Sequence, residues 1–247
     1  MTDGEDAARY AAAAGALLLE LRERGASDEW SKWSLGDAAD GLANRRLLEL
    51  LREDHPGDGV LSEESVDDAS RLDAERVWIV DPLDGTREFT EAGRTDWAVH
   101  VALWTRGQGL TAGAVALPAQ ERVLSTATPP PTPIAQDRPA RVVVSRTRPP
   151  AAAQRVAEAL GGELVGMGSA GAKAMAVVDG VVDAYVHSGG QYEWDSAAPA
   201  AVATAAGLHV SRIDGSPLEY NRRDPWLPDL IVCRQDLAAE VLTAVAA

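Results

Sequence analysis

The chain has one cysteine, Cys233, in 247 residues, so no internal disulfide can form. It sits in the apolar run Leu230 to Cys233 and reads as a buried core thiol. Lysine is almost as scarce, with only Lys32 and Lys173. The basic total is 23 against 38 acidic residues, a net charge of −15. That balance argues against a nucleic acid polymer or an anionic membrane as a bulk partner. A small anionic substrate stays open, because bound cations can reverse the field inside one pocket. No apolar run reaches membrane-spanning length. Asp3, Glu5 and Asp6 carry the wrong charge for a secretory signal, so the expected location is the cytoplasm. There is no internal repeat, no heptad pattern and no glycine-rich dinucleotide fingerprint. The four histidines, His55, His100, His187 and His209, lack metal-ligand spacing. His100 and His209 fall in strands and read as structural residues.

What is present is apolar material, 46% of the chain, enough for a sizeable core. The length suits one large domain or two small ones. The stretch Trp78-Ile79-Val80-Asp81-Pro82-Leu83-Asp84-Gly85-Thr86 organises the rest. Val77 to Val80 is a short buried strand that ends abruptly at Asp81. Pro82 stiffens the turn and Gly85 allows a sharp bend or a close approach to a ligand. Asp81 and Asp84 are thereby crowded at a strand end, and two such carboxylates repel unless a proton or cation lies between them. Oxygen-only ligands favour Mg²⁺, Mn²⁺ or Ca²⁺ over zinc. A polar turn capping a helix would use the same residue types.

The remaining pattern alternates helix and strand. Residues 5–24 form an amphipathic helix, and a second runs to about Arg52 with Asp37 or Asp40 as its cap. Gly59 to Ser65 is a short strand running into Glu63 and Glu64. Asp96 to Trp104 is a strand, and Leu110–Leu117 with Arg122–Ser125 forms a hairpin. Five prolines in residues 128–139 mark a linker, which divides the chain into parts of 1–130 and 140–247. The second part opens with the strand Arg141–Val144, followed by Ser145-Arg146 and a helix from Pro149 to Leu160. Glu163–Gly166 is a strand. Gly168-Ser169 then opens a helix, where free N–H groups suit a phosphate and Lys173 suits an anion. Val181–Val186 is a strand, residues 187–193 a flexible polar loop, and Asp195 starts the next helix. Leu208–Val210 and Asp229–Cys233 are strands, with a last helix from Leu237 to Ala246.

Three motifs in order, Ser62-Glu63-Glu64-Ser65, Trp78 to Phe89 and Trp194-Asp195-Ser196-Ala197-Ala198, resemble the inositol monophosphatase superfamily of Mg²⁺-dependent, lithium-sensitive phosphatases. Within it, Val143-Val144-Ser145-Arg146, Gly168-Ser169 with Lys173, and Pro217 to Asn221 resemble the bacterial 3'(2'),5'-bisphosphate nucleotidases of sulfate assimilation. The resemblance implies an α/β, alternating α-β-α-β-α sandwich with mixed sheets, assembled as a homodimer. It implies hydrolysis of 3'-phosphoadenosine 5'-phosphate by metal-activated water, with inositol-1-phosphate and fructose-1,6-bisphosphate as alternative substrates. Two or three Mg²⁺ per site would be held by Glu63, Asp81, the Leu83 carbonyl, Asp84 and Asp195, with Glu64 the less direct acid. Thr86, paired with Asp40 or Asp37, would activate the water. Leu83 to Thr86, including Gly85, and the Gly168-Ser169 turn would hold phosphate oxygens through backbone N–H groups. Ser145, Arg146, Ser169, Lys173 and Asp195 would bind substrate, Lys173 and Arg146 taking the second phosphate, and Tyr192 would pack on a base.

Two departures stand out. The segment from Lys32 to Asp40 is shorter than the family's and lacks its Pro-x-Thr, and Pro199 replaces a glycine and would bend its helix. Two rival readings differ in class. A phosphatase with an aspartate nucleophile spaces its aspartates two apart, whereas Asp81 and Asp84 are three apart. A non-catalytic binding protein on the same fold would tolerate loss of a ligand, yet Glu63, Asp81, Asp84 and Asp195 are all present.

Overall fold

A computed structural model describes the backbone of residues 1–27 and 32–247, and side chains outside 26–34. The order is α1 (Asp3–Ser27), α2 (Lys32–Asp54), β1 (Gly59–Ser62), β2 (Arg76–Asp84), α3 (Thr86–Thr90), β3 (Ala98–Thr105), β4 (Gly109–Leu117) and β5 (Arg122–Ser125). Then follow β6 (Arg141–Ser145), α4 (Ala151–Ala159), β7 (Glu163–Met167), α5 (Ala170–Val178), β8 (Ala184–Tyr192), α6 (Glu193–Ala205), β9 (His209–Ser211), β10 (Trp226–Cys233) and α7 (Ala238–Ala246). Residues 129–140 contain no helix or strand.

Two five-stranded sheets result, ordered β1-β2-β3-β4-β5 and β7-β6-β8-β10-β9. Both are mixed: β1 runs parallel to β2 and β6 parallel to β7 and β8, while the other pairs are antiparallel. Side-chain alternation along each strand builds the layers. In β2, Trp78 and Val80 pack with Tyr10, Leu18 and Leu47 of α1 and α2, whereas Val77 and Ile79 pack with Ala172, Met175 and Ala198 of α5 and α6. In the second sheet Val143 and Tyr185 face that same middle layer, while Val142, Val144 and Val186 pack with Val156 of α4 and Val241 of α7. The five layers are therefore helices, sheet, helices, sheet, helices. Each such buried aliphatic side chain contributes about 1.5–3 kcal/mol.

Four elements differ from their sequence-based expectations. Helix α2 begins at Lys32, so Asp37 and Asp40 lie on its body and cap nothing. The stripe Leu35, Ala39, Ala43 and Leu47 packs this part of the helix against the core. Residues 187–192 are a continuation of β8, not a flexible loop. They pair with β10 through Tyr192, and Gly189 and Gly190, at φ 110° and 94°, accompany a register shift between Leu227 and Asp229. Strand β2 passes through Asp81 to Asp84 instead of ending before it. Helix α6 runs from Glu193 to Ala205 without interruption through Pro199.

Candidate active site

Aspartates three apart on a regular strand would point to opposite faces. The register of β2 against β3 shifts between Asp81 and Asp84, and that irregularity resets the alternation. Leu83 thereby joins Trp78 and Val80 in the outer core. Asp84 turns inward to α5, where its carboxylate accepts from Ala170 N–H (3.0 Å), Gly171 N–H (2.6 Å) and the Ser169 hydroxyl. Asp81 also faces inward, and its Oδ1 accepts the Leu83 N–H at 3.0 Å. Gly85, at φ 93°, makes the left-handed turn from β2 into α3.

Asp195, on the first turn of α6, completes the cluster from the other half of the chain. One oxygen from each of Asp81, Asp84 and Asp195 lies within 4.8 Å of the others. The Asp195 carboxylate also accepts the Tyr192 N–H at 2.6 Å, which ties it to the helix start. Burial, then Glu63 and Asp84, pushes the Asp81 carboxyl well above its ordinary value. Desolvation and the Asp84 charge push Asp195 up to about 6. Glu63, the residue after β1, is exposed. Desolvation and then the Asp195 charge push its carboxyl up to about 7. These carboxyls meet only by sharing protons, the arrangement that a divalent cation replaces. The all-oxygen donor set suits Mg²⁺, Mn²⁺ or Ca²⁺.

Asp84 behaves oppositely. Burial would raise it, but His100, Lys173 and Ser169 outweigh burial and hold it well below its ordinary value. His100 is fully buried on β3, with Nε2 3.2 Å from Asp84 and Nδ1 3.0 Å from the Trp194 carbonyl. Gly171 is required beside it, since a Cβ there would lie 2.0 Å from His100 Nε2. The reading of His100 as purely structural missed this contact. A lone imidazole in the apolar run Ala98 to Leu103 was the available signal, because a buried polar ring needs a partner.

Asp40, not the exposed Asp37, is the buried aspartate of α2 beside Thr86. Desolvation and the charges of Glu63 and Glu64 push its carboxyl up to about 8. The Thr86 hydroxyl donates to the Leu83 carbonyl at 3.3 Å. Asn44, one turn after Asp40, accepts from the Ser62 hydroxyl at 2.8 Å and so ties α2 to the Glu63-Glu64 segment. Nothing in the sequence marked Asn44 for this task. The side chain of Lys32 lies outside the described residues.

The expected phosphate turn is arranged differently. The N–H of Gly168 goes to Asp96, those of Ala170 and Gly171 to Asp84, and that of Ala172 to the Ser169 hydroxyl. The Leu83 N–H is likewise spent on Asp81. Ser169 sits at φ 52°, and its hydroxyl bonds to Asp84 and Ala172 offset that strain. Lys173 is buried, donating to the Ser169 carbonyl at 2.7 Å, and desolvation lowers its pKa. Arg146 is paired with Glu88 at 2.6 Å and Glu91 at 2.7 Å. Gly85, Thr86, Ser145, Arg146, Ser169 and Lys173 nonetheless line one cleft of about 220 Å³. Tyr192 is exposed and stacks on Trp194, with centroids 4.7 Å apart.

The start of α6 is held by a buried polar network. Glu193 accepts from the N–H groups of Asn221 (2.7 Å) and Arg222 (2.8 Å). Arg71, itself buried, donates to Asn221, the Arg222 carbonyl and Asp67. An arginine on the segment after β1 therefore helps position Asp195 on α6.

The carboxylates of Asp81, Asp84 and Asp195 form an oxygen-only cluster able to hold a metal ion. The family profile described as "Inositol monophosphatase family" matches residues 5–246, and the chain belongs to that family. It is 56% identical over 256 residues to the 3'-phosphoadenosine 5'-phosphate phosphatase of Mycobacterium leprae, covering 99% of this chain and 94% of that protein. It is 32% identical to the 3'(2'),5'-bisphosphate nucleotidase CysQ of Escherichia coli, covering 77% of this chain and 81% of that protein. The solved structure of CysQ from Bacteroides thetaiotaomicron superimposes with a TM-score of 0.79 at 28% identity, covering 94% of this chain and 96% of that one. No described helix is long and apolar enough to cross a membrane.

Proposed function

We propose that the chain is a Mg²⁺-dependent phosphomonoesterase that hydrolyses 3'-phosphoadenosine 5'-phosphate to AMP and phosphate. The meeting of Asp81, Asp84 and Asp195 within 4.8 Å, from two distant parts of the chain, carries the reading. The 56% identity to a phosphatase of that name supports the substrate. Residues 1–130 and 140–247 then act as one phosphatase unit, since the cluster needs both. The family resemblance supports a homodimer, and nucleotide turnover with Mg²⁺ suits the cytoplasm.

Glu63, Asp81, the Leu83 carbonyl, Asp84 and Asp195 would hold two or three ions. Asp84 Oδ1 accepts only one of the hydrogen bonds, which leaves a lone pair for a metal. Bound Mg²⁺ neutralises phosphate oxygens and acidifies coordinated water. Thr86 orients the attacking water through its hydroxyl, and Asp40 takes the proton. The high proton affinity of Asp40, about 8, suits a base that loads and unloads near neutral pH. Glu64 keeps that affinity high by its charge. As water adds to phosphorus, the ester P–O bond breaks and the ribose oxygen leaves with its electrons and takes a proton from solvent, while Asp40 releases the water's proton to solvent.

Phosphate release from 3'-phosphoadenosine 5'-phosphate, inositol-1-phosphate and fructose-1,6-bisphosphate tests this, with Mg²⁺ and with added Li⁺. The nucleotide should be turned over fastest, and Li⁺ should inhibit. Absence of release from all three, or a trapped phosphoaspartate, would refute it.

A further inference from the structure

The segment that carries Glu63 and Glu64 has little of its own to hold it. Among residues 63–71 Arg71 alone is buried, and Val66 is 99% exposed. Its regular structure is one 3₁₀ turn, Ala69–Asp73. Asn44 holds the near end, donating to the Ser65 hydroxyl at 3.0 Å. Arg71 holds the far end. Its guanidinium closes a fork on the Asp67 carboxylate, at 2.6 and 2.9 Å. It also donates to Asn221 Oδ1 at 2.6 Å and to the Arg222 carbonyl at 2.8 Å. Asn221 sits at φ 59°, a left-handed conformation uncommon for a residue with a side chain. Such a conformation persists where the surrounding contacts over-determine it.

Residues 220–225 in turn grip the start of α6 at three points. Glu193, a fully buried carboxyl, accepts the N–H groups of Asn221 and Arg222. The Glu193 N–H donates to the Pro225 carbonyl at 2.8 Å. The buried hydroxyls of Ser196 and Tyr220 are hydrogen-bonded at 3.2 Å. Asp195 lies between Glu193 and Ser196 in the chain. One line of buried contacts therefore runs from the Glu63-Glu64 segment to the helical turn that carries Asp195.

We propose that Arg71 is a positioning residue for the metal centre: through Asn221 and Glu193 it locks the Glu63-Glu64 segment to the start of α6. The lock sets how tightly the centre, to which Glu63 and Asp195 contribute from opposite halves of the chain, holds divalent ions. Ordering a loose segment around an ion costs conformational entropy at the moment of binding, and a segment already clamped does not meet that cost again. The inference rests on the metal reading given under Proposed function.

The test is Mg²⁺ binding to the full chain, measured by titration calorimetry without substrate. Asn221→Gly keeps the left-handed backbone and both N–H bonds to Glu193 while cutting the side-chain link to Arg71. It should weaken Mg²⁺ binding roughly 10-fold, the usual scale for losing a residue that orients a metal ligand. Arg71→Lys keeps the charge without the fork and should weaken binding by a similar factor. At saturating Mg²⁺ both variants should release phosphate from 3'-phosphoadenosine 5'-phosphate at close to the wild-type rate. Arg155→Ala frees the carbonyls of Ala244 and Val245 in α7, so it controls for a general loss of stability. It should leave the Mg²⁺ Kd unchanged. An unchanged Kd in either Asn221→Gly or Arg71→Lys overturns the proposal. Equal weakening by Arg155→Ala also overturns it, because lost stability alone would then explain the effect. If wild-type protein binds Mg²⁺ and releases phosphate while the variants bind as tightly, the metal reading stands and this inference alone falls. If wild-type protein binds no Mg²⁺, both fall.

Discussion

Asp195→Asn should make the metal-free protein more stable at pH 8 while destroying its response to Mg²⁺. The wild-type carboxyl is held up to about 6 from an ordinary 3.8, first by desolvation and then by Asp84. A carboxyl raised in the folded state binds more protons there than when unfolded, so stability falls as pH rises between those values. The penalty is absent below about pH 4 and complete above about pH 6. The gap converts to about 3 kcal/mol at most. Asp195 is only half-buried, and solvent screening reduces this to about 1–2 kcal/mol. Asparagine keeps the acceptor for the Tyr192 N–H and removes the charge. Differential scanning fluorimetry in chelator should show a rise of about 2–8 °C at pH 8 and none at pH 4. Mg²⁺ at a hundred times its Kd should add about 2.7 kcal/mol to wild-type protein, or about 5–10 °C. The variant should lose most of that gain. Destabilisation by Asp195→Asn in chelator at pH 8, or an undiminished Mg²⁺ response, would refute the shared-cation account.

Asp40→Asn should lower kcat by about 10²–10⁴ with little change in KM, read by steady-state phosphate release. Its melting temperature at pH 8 should not fall, since the change removes a desolvated carboxyl. Arg71→Ala should cost about 3–5 kcal/mol in urea unfolding, because it strips the buried partner from Asn221 and from the Glu193 network. Gly171→Ala should cost about 1–3 kcal/mol by overpacking, and activity should fall with it as His100 is pushed off Asp84.

Much of this centre was legible along the chain. Acidic residues at two strand ends, a Pro-containing stretch and a late Trp-Asp at a helix start are local features, and the structure brings Asp81, Asp84 and Asp195 together. The helices α1, α4, α5 and α7 and most strands follow from apolar periodicity, since each buries one continuous face. The failures share a cause. Gly189 and Gly190 signal a turn locally, yet pairing with β10 keeps that segment extended. The free N–H groups expected at α5 are free only until a neighbouring strand brings Asp84 to them. Arg146 reads as a free cation in isolation, and only the tertiary structure sets it against Glu88 and Glu91.

The primary structure by itself determined which atoms could hold a metal: oxygen donors at Glu63, Asp81, Asp84 and Asp195, on elements whose hydrophobic period sets their type. Tertiary structure alone decided which of those atoms meet. The slipped β2 register turns Asp84 to the same side as Asp81, and α6 packs between the sheets to bring Asp195 across. Electrostatic partnership depends on distances through space, and local sequence preferences do not encode them.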